Sequence, residues 1–413
     1  MRRIDELPYL DYFDAGVAAD PEAAVIALAE QDWIARTPFG IAVLRYDECF
    51  RLLRDQRLSA PPDFGLKEHG VTGGRAQNAM ANVLMVMQGE EHRRVRALVA
   101  PALSRSNADR LRPQIRAFVA DALSDVADKG VGDLIDAVAV PLPPQVICAW
   151  LGLPDTEARR VAEWADTLSL VMDLHVKKHL PRIEECMKEV WSYVEDRIEA
   201  VRAVGAGGED TISQLIRAEE AGDRLTNEEM INLILLSLVA GSDTTRMQLG
   251  NALWLFAQRP DQWDLLRAQP DLVASAVEEA MRFKPVTFKS LRYTREPIEF
   301  HDVALDEGVF VELVNPAAHH DRNVYGNAAE FDITRFAERG QRPQLTFGAG
   351  PHQCVGQFLA RAEMEEALLL LSARMPGLRL DPDDAEGVVW KPPFGATQGP
   401  TRLPMRWNVE VSA

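Results

Sequence analysis

Very little in this chain points outward. Its 413 residues hold four cysteines, Cys49, Cys148, Cys186 and Cys354, scattered with no C-x-x-C pair. That usage excludes a disulfide framework and a zinc site, and it fits a reducing cytoplasm. The longest apolar stretches, around 233–240 and 368–371, fall far short of the ~20 residues a membrane span needs. The start, Met-Arg-Arg-Ile-Asp-Glu-Leu-Pro, has no apolar h-region, so neither a secretory signal nor a membrane anchor is expected. Positive charge is also scarce, with 45 Lys and Arg against 63 Asp and Glu, a formal net charge of −18. A chain this acidic is a poor partner for nucleic acid or an anionic membrane. No repeat, low-complexity tract or clear linker interrupts it. Residues 1–413 read as a single domain, cytoplasmic and monomeric.

What is present is mostly helix. Residues 21–31 read as helix, 40–44 as strand and 46–54 as helix. From 61 to 88 the pattern dissolves into Pro, Gly, Asn and Met, a loop of the length that usually carries function. Helical periodicity dominates 91–282, with breaks expected at Pro101, Pro141 to Pro144, Pro154, Pro181 and 205–208. Apolar alternation returns only after residue 290, in 298–301, 309–313 and 403–407. The fold class is mainly α, a large helical part with small peripheral β-sheets. One helix stands out. Thr226-x-x-Glu229 has capping-box spacing and opens a run to Gln258, just before Pro260. Its first half, 230–240, is apolar nearly all round, as in a helix that passes through the middle of a protein.

Two stretches carry chemistry. Phe347-Gly348-Ala349-Gly350-Pro351-His352-Gln353-Cys354-Val355-Gly356 presents one cysteine on a glycine-rich loop, just before a helical segment at 357–373. Glycines let such a loop fold tightly against something flat. A thiolate at a helix N-terminus is stabilised as the anion, the form that binds metals. The second stretch, Ala240-Gly241-Ser242-Asp243-Thr244-Thr245, lies midway along the long helix. Gly241 costs about 1 kcal/mol relative to alanine there, and Asp and Thr are poor helix formers. A carboxylate beside a hydroxyl suits proton relay through bound water. A polar interruption satisfied by neighbouring helices would account for the same residues.

Taken in order, these segments resemble the cytochromes P450, from about Tyr46 to Trp407. The ten-residue loop matches that family's haem-binding pattern F-G-x-G-x-H-x-C-x-G at every fixed position. The resemblance implies the cytochrome P450 fold and haem b with Cys354 as axial thiolate, held in the loop that includes Phe347 and Gly348. It implies that His92, Arg96, Arg292 and His352 bind the haem propionates, a task suited to arginine's planar fork. The long helix resembles the distal motif A-G-x-D-T-T, where a helix deformation opens an oxygen-binding groove. By that likeness Thr244 hydrogen-bonds dioxygen and Asp243 relays protons. Glu279-x-x-Arg282, weak alone at ~0.3 kcal/mol for a surface pair, matches the family's E-x-x-R and joins Arg335 in a buried structural network. Two departures stand out. Gln88-Gly89-Glu90-Glu91 replaces an Asp-Pro-Pro-like turn ahead of His92. Ala317-Ala318-His319-His320-Asp321 stands where an Asn-Arg-Asp-like sequence is usual, and neither histidine reads as a metal ligand.

The implied activity is monooxygenation of a small hydrophobic substrate, by hydroxylation or oxidative demethylation. Electrons would come from a separate ferredoxin and ferredoxin reductase. Arg93, Arg94, Arg105 and Arg110 form a locally basic stretch that either receives an acidic ferredoxin or is a solvated helix face. By family position the pocket draws on 83–87, on Leu236, Val239 and Ala240, and on Val286, Thr287, Phe288 and Phe394. That set is apolar apart from Thr287, which points to a terpenoid, steroid, fatty-acyl or aromatic compound. Lys289 either points outward or meets a substrate carboxylate. A peroxide-using haem-thiolate enzyme is the second enzymatic reading, opposed by the Asp243–Thr244 pair. A haem-based binder or sensor would need a second ligand near Gly241, and the sequence offers none.

Overall fold

A computed structural model describes residues 1–62, 66–67, 70–172, 175–220, 225–392 and 394–409. The chain divides into two compact units. One comprises Met1–Pro61, Asp271–Cys354 and Trp390–Gly399; the other comprises Pro62–Pro270, Val355–Val389 and Pro400–Ala413.

The first unit is built on a five-stranded sheet, in the order Ile34–Arg36, Gly40–Val43, Phe310–Val314, Lys289–Thr294, Leu58–Ser59. Gly40 pairs with Phe310, and a side chain at Gly40 would sit 2.2 Å from the Phe310 carbonyl oxygen. Only glycine permits that approach. The core on one side gathers Ile41, Val43, Val311, Leu313 and Tyr325, and on the other Leu10, Tyr12, Ala42, Phe288 and Val314. This alternation is the period of two that places successive strand residues on opposite faces.

The second unit is helical. Its longest element is Asn227–Gln258, 32 residues and about 48 Å at 1.5 Å per residue. The expected capping box is present: Thr226 Oγ1 accepts from the Glu229 amide at 3.1 Å, and Glu229 accepts from the Thr226 amide at 2.8 Å. The helix runs unbroken through Gly241. Helix Gln357–Arg374, which opens three residues after Cys354, packs on Arg105–Ser124. Arg112 and Arg116 clamp that pairing, at 2.6 Å to Glu365 and 2.8 Å to Glu366.

Two local expectations are corrected. Pro181 does not break a helix but lies inside Val176–Ala203. The proline forfeits one backbone hydrogen bond, and the buried stripe Ile183, Met187, Val190, Val194 and Ile198 offsets that loss. The loop 61–88 contains a helix, Gly74–Ala81, with Ala76 and Met80 buried one turn apart. Its free N-terminal amides, at Arg75 and Ala76, donate to the Glu184 carboxylate at 3.0 and 2.9 Å. That cap comes from a distant helix, so no local sequence signal announces it. Residues 63–65 and 68–69 of the loop lie outside the described residues.

Candidate active site

Of the four cysteines only Cys354 is exposed. Burial pushes the thiols of Cys148 and Cys186 up to about 12 and about 11, and that of Cys49 higher still. Those three are therefore inert thiols, since the thiolate is the reactive and metal-binding form. Gly348 and Gly350 hold positive φ angles of 68° and 75°. A side chain at Gly350 would also meet Arg54, 3.1 Å from its Cα. The Cys354 amide donates to the Phe347 carbonyl at 2.8 Å, closing the loop on itself. His352 is half-buried in the tight turn Gly350–His352.

Behind this loop, in the same unit, lies a buried ion cluster. Arg282 donates to both oxygens of Glu279 at 2.7 and 2.8 Å, and Arg335 reaches Glu279 at 3.0 Å. The remaining donors of Arg282 go to the carbonyls of His319 and Ala328, both at 2.9 Å, and of Glu330 at 3.1 Å. Glu279 and Arg282 are wholly buried, so the network is an internal brace. Such a pair is tolerated only when every donor and acceptor is matched, as here.

Arg292 is different. It lies half-buried on Lys289–Thr294, and its one side-chain hydrogen bond among the described residues goes to the neighbouring Leu291 carbonyl at 2.8 Å. Desolvation pulls the guanidinium down to about 10. A partly dehydrated cation with no carboxylate beside it among the described residues is a seat for an anion. In the other unit, His92 and Arg96 share one face of helix Gly89–Val99. Burial first, and the Arg96 charge second, hold the His92 imidazole below its ordinary value.

The long helix is buried over most of its length but opens along one stripe. Leu236 and Thr244 are half-buried and Ala240 is exposed, each one turn from the next. The Val239 side chain lies outside the described residues. The Thr244 hydroxyl donates to the Ala240 carbonyl at 2.6 Å. Asp243 is paired with Arg246, which also approaches Asp166 at 3.4 Å. Ser242 and Arg246 line a small pocket with Asp166, Val140, Pro144 and Ala162. Arg246, missed in the sequence reading, stands at i+3 from Asp243, a spacing that announces a helical ion pair.

In the first unit, Val286, Thr287, Phe288 and Phe394 are drawn together, but not all as an open wall. Phe288 is 1% exposed within the core. The Phe394 ring lies 5.5 Å from it and 4.6 Å from the Tyr12 ring. The Thr287 hydroxyl accepts from Asn315 at 3.0 Å, and the Val286 carbonyl accepts from the Gln398 amide at 2.7 Å. Lys289 does not point outward. It pairs with the buried Glu312, which also accepts from the Tyr12 hydroxyl at 2.6 Å. The basic stretch is likewise partly neutralised: Arg94 pairs with Glu229, Arg110 pairs with Glu209 at 2.6 Å, and Arg105 stacks on Phe358.

Fold and loop together define a helix-rich protein that offers one accessible thiol on a rigid turn. A sequence model of cytochrome P450 matches residues 152–372. The chain is 34% identical to luteothin monooxygenase of Streptomyces thioluteus, over 98% of this chain and 97% of that protein. It is 31% identical to 6-deoxyerythronolide B hydroxylase of Saccharopolyspora erythraea, over 94% of this chain and 93% of the other. Among solved structures it is similar to CalO2, with TM-score 0.88 and 28% identity, covering 98% of this chain and 100% of that one. P450BioI bound to an acyl carrier protein ligated with hexadec-9Z-enoic acid gives TM-score 0.84 and 28% identity, over 95% and 100% of the two chains. The chain belongs to the cytochrome P450 family, whose members named here are monooxygenases and hydroxylases, and it is an oxidoreductase of that kind. Among the described residues no helix is long and apolar enough to cross a membrane.

Proposed function

We propose that this chain, a single P450 domain over residues 1–413, is a haem-thiolate monooxygenase with Cys354 as the axial ligand. The observation that carries the reading is the exposure of that one thiol on a loop fixed by two positive-φ glycines, while the other three are buried and protonated. The residues fit the group. Arg292 is a cation awaiting an acid partner, and His352, His92 and Arg96 are the further propionate candidates. When bound, a thiolate-ligated haem supplies an electron-rich iron that favours O–O cleavage.

The chain's own side chains then have distinct tasks. Thr244 offers a hydroxyl on the opening stripe of the long helix. Asp243 supplies the exchangeable proton, after its pairing with Arg246 opens. By family position Leu236, Ala240 and Val286 are assigned to an apolar substrate pocket. Val239 is assigned to that pocket by family position alone. Thr287, Phe288 and Phe394 are assigned to it likewise; Thr287 is already bonded to Asn315, and Phe288 lies in the core with the Phe394 ring beside it. No cationic side chain is left free at Lys289 to hold a substrate carboxylate.

The substrate is hydrophobic, of the terpenoid, steroid, fatty-acyl or aromatic class. Relatives named as hydroxylases of bacterial secondary metabolism support a natural-product role. Electrons arrive from a separate ferredoxin and its reductase. With Arg94 and Arg110 paired internally, Arg93 and Arg105, which meet no carboxylate among the described residues, carry the charge of the basic stretch. The test compares product formation with ferredoxin, reductase and oxygen against peroxide alone. Turnover driven by the redox partners supports the reading; turnover with peroxide only would replace it by a peroxygenase, and neither by a binder.

A further inference from the structure

His319, one of the two histidines that depart from the family pattern, is wholly buried and bonded at both ring nitrogens. Nε2 lies 2.7 Å from the Leu345 amide nitrogen, and Nδ1 lies 3.1 Å from the Arg282 carbonyl oxygen. An amide N–H only donates and a carbonyl only accepts. The ring is therefore the neutral tautomer with its proton on Nδ1. Burial, and then the Arg282 charge, hold its pKa well below the ordinary histidine value, which keeps Nε2 an acceptor.

These two bonds join different structures. On one side Arg282 is locked by Glu279 and returns a bond to the His319 carbonyl at 2.9 Å. On the other side Leu345 opens the cysteine loop: its carbonyl accepts from the Gly348 amide at 2.7 Å, and Phe347 accepts from Cys354 at 2.8 Å. A second tie, Thr346 Oγ1 to the Met281 carbonyl at 3.0 Å, leaves the loop's backbone amides untouched. The imidazole is thus the link between the rigid ion cluster and the backbone that carries the thiol.

We propose that His319 is a positioning residue for Cys354, its Nε2 accepting the Leu345 N–H and so fixing the entry of the cysteine loop. The inference rests on Cys354 being the haem ligand. An asparagine amide reaches only the place of Nδ1, whereas a glutamine amide reaches that of Nε2. The two conservative variants therefore separate loop positioning from bracing of Arg282.

The experiment uses the full-length, haem-loaded protein, reduced under carbon monoxide, and follows decay of the red-shifted Soret band at fixed elevated temperature. Helix content is recorded in parallel. His319→Asn should lose the band about tenfold faster than the parent, equivalent to about 1.4 kcal/mol for one lost hydrogen bond. His319→Gln should stay within about threefold of the parent. Amide hydrogen exchange at Leu345 gives a readout on the parent itself, where strong protection is expected, and His319→Asn should speed it selectively. A parental decay rate in His319→Asn, equal losses in both variants, or an unprotected Leu345 amide in the parent would each overturn the proposal. A parent with no red-shifted band would overturn the thiolate assignment instead, while leaving the Leu345 exchange result intact.

Discussion

Asp243 and Arg246 form an ion pair one turn apart on the long helix, and Arg246 reaches on toward Asp166. The acid assigned to proton delivery is therefore held by a neighbour that also has a second carboxylate within reach. If the Asp243 carboxylate delivers protons, Asp243→Asn should slow product formation by about 10²-fold, the lower end for a positioned acid. Arg246→Gln, which removes this ion pair and keeps the acid, should stay within about threefold of the parent. Steady-state turnover on oxygen checks both. Equal losses would mean that the pair, rather than the Asp243 carboxylate by itself, is the working unit.

Thr244 donates its hydroxyl to Ala240 within its own helix, so the group is positioned before any ligand arrives. Thr244→Ala should keep consuming reductant while diverting it to peroxide, with product per electron falling about tenfold or more. Simultaneous peroxide and product assays measure this split. Unchanged coupling removes Thr244 from the relay.

Arg292 predicts two effects of opposite sign. Removing a partly dehydrated cation that meets no carboxylate among the described residues relieves the haem-free protein, so Arg292→Leu should raise its thermal midpoint. The same change removes a propionate partner, so haem loss to an acceptor protein should accelerate. Arg292→Lys, which keeps charge without the planar fork, should fall between the two. Faster haem loss without the gain in apo stability would mean that the site is shaped for packing rather than for charge.

Three buried groups contribute to the pH dependence, and His92, held low by burial, acts in the same sense as the two histidines among them. His319 is held well below the ordinary histidine value and His320 at about 4, in both cases chiefly by desolvation. Below about pH 6.5 the unfolded chain takes up protons that these rings refuse, so stability falls as pH drops. Glu363 acts in reverse. Burial raises its pKa well above the ordinary carboxylate value, so above about pH 4.5 the unfolded chain releases a proton that the fold retains. Stability then falls as pH rises. The thermal midpoint should therefore pass through a maximum near pH 6.5, and Glu363→Gln should flatten the alkaline side. A variant with the parental alkaline slope would contradict the assignment.

How much of this could be read from residues alone depends on how local each signal is. The capping box at Thr226, the helix Pro21–Gln31 and the strand Gly40–Val43 are written in adjacent residues, and the structure places them as the pattern predicts. The glycine-rich cysteine loop is local as well. Lys289 and Glu312 are not. Their meeting depends on the antiparallel register that sets Lys289 opposite Val314 and Leu291 opposite Glu312, which brings residues two apart along the strand into diagonal contact. The helix Gly74–Ala81 draws its cap from Glu184, more than 100 residues away. The link from His319 to Leu345 needs three separated segments folded together. The Asp243–Arg246 spacing lay in plain view, and there the apolar reading of the helix obscured a local pair.

The central claim is that Cys354 is a thiolate ligand to haem. Carbon monoxide added to the reduced, haem-loaded protein tests it most directly, because the position of the Soret band reports the ligand opposite. The account predicts the red-shifted band of a thiolate-ligated haem in the parent, and its absence from Cys354→Ser that still holds haem. A folded, haem-loaded parent showing only the unshifted band would contradict it.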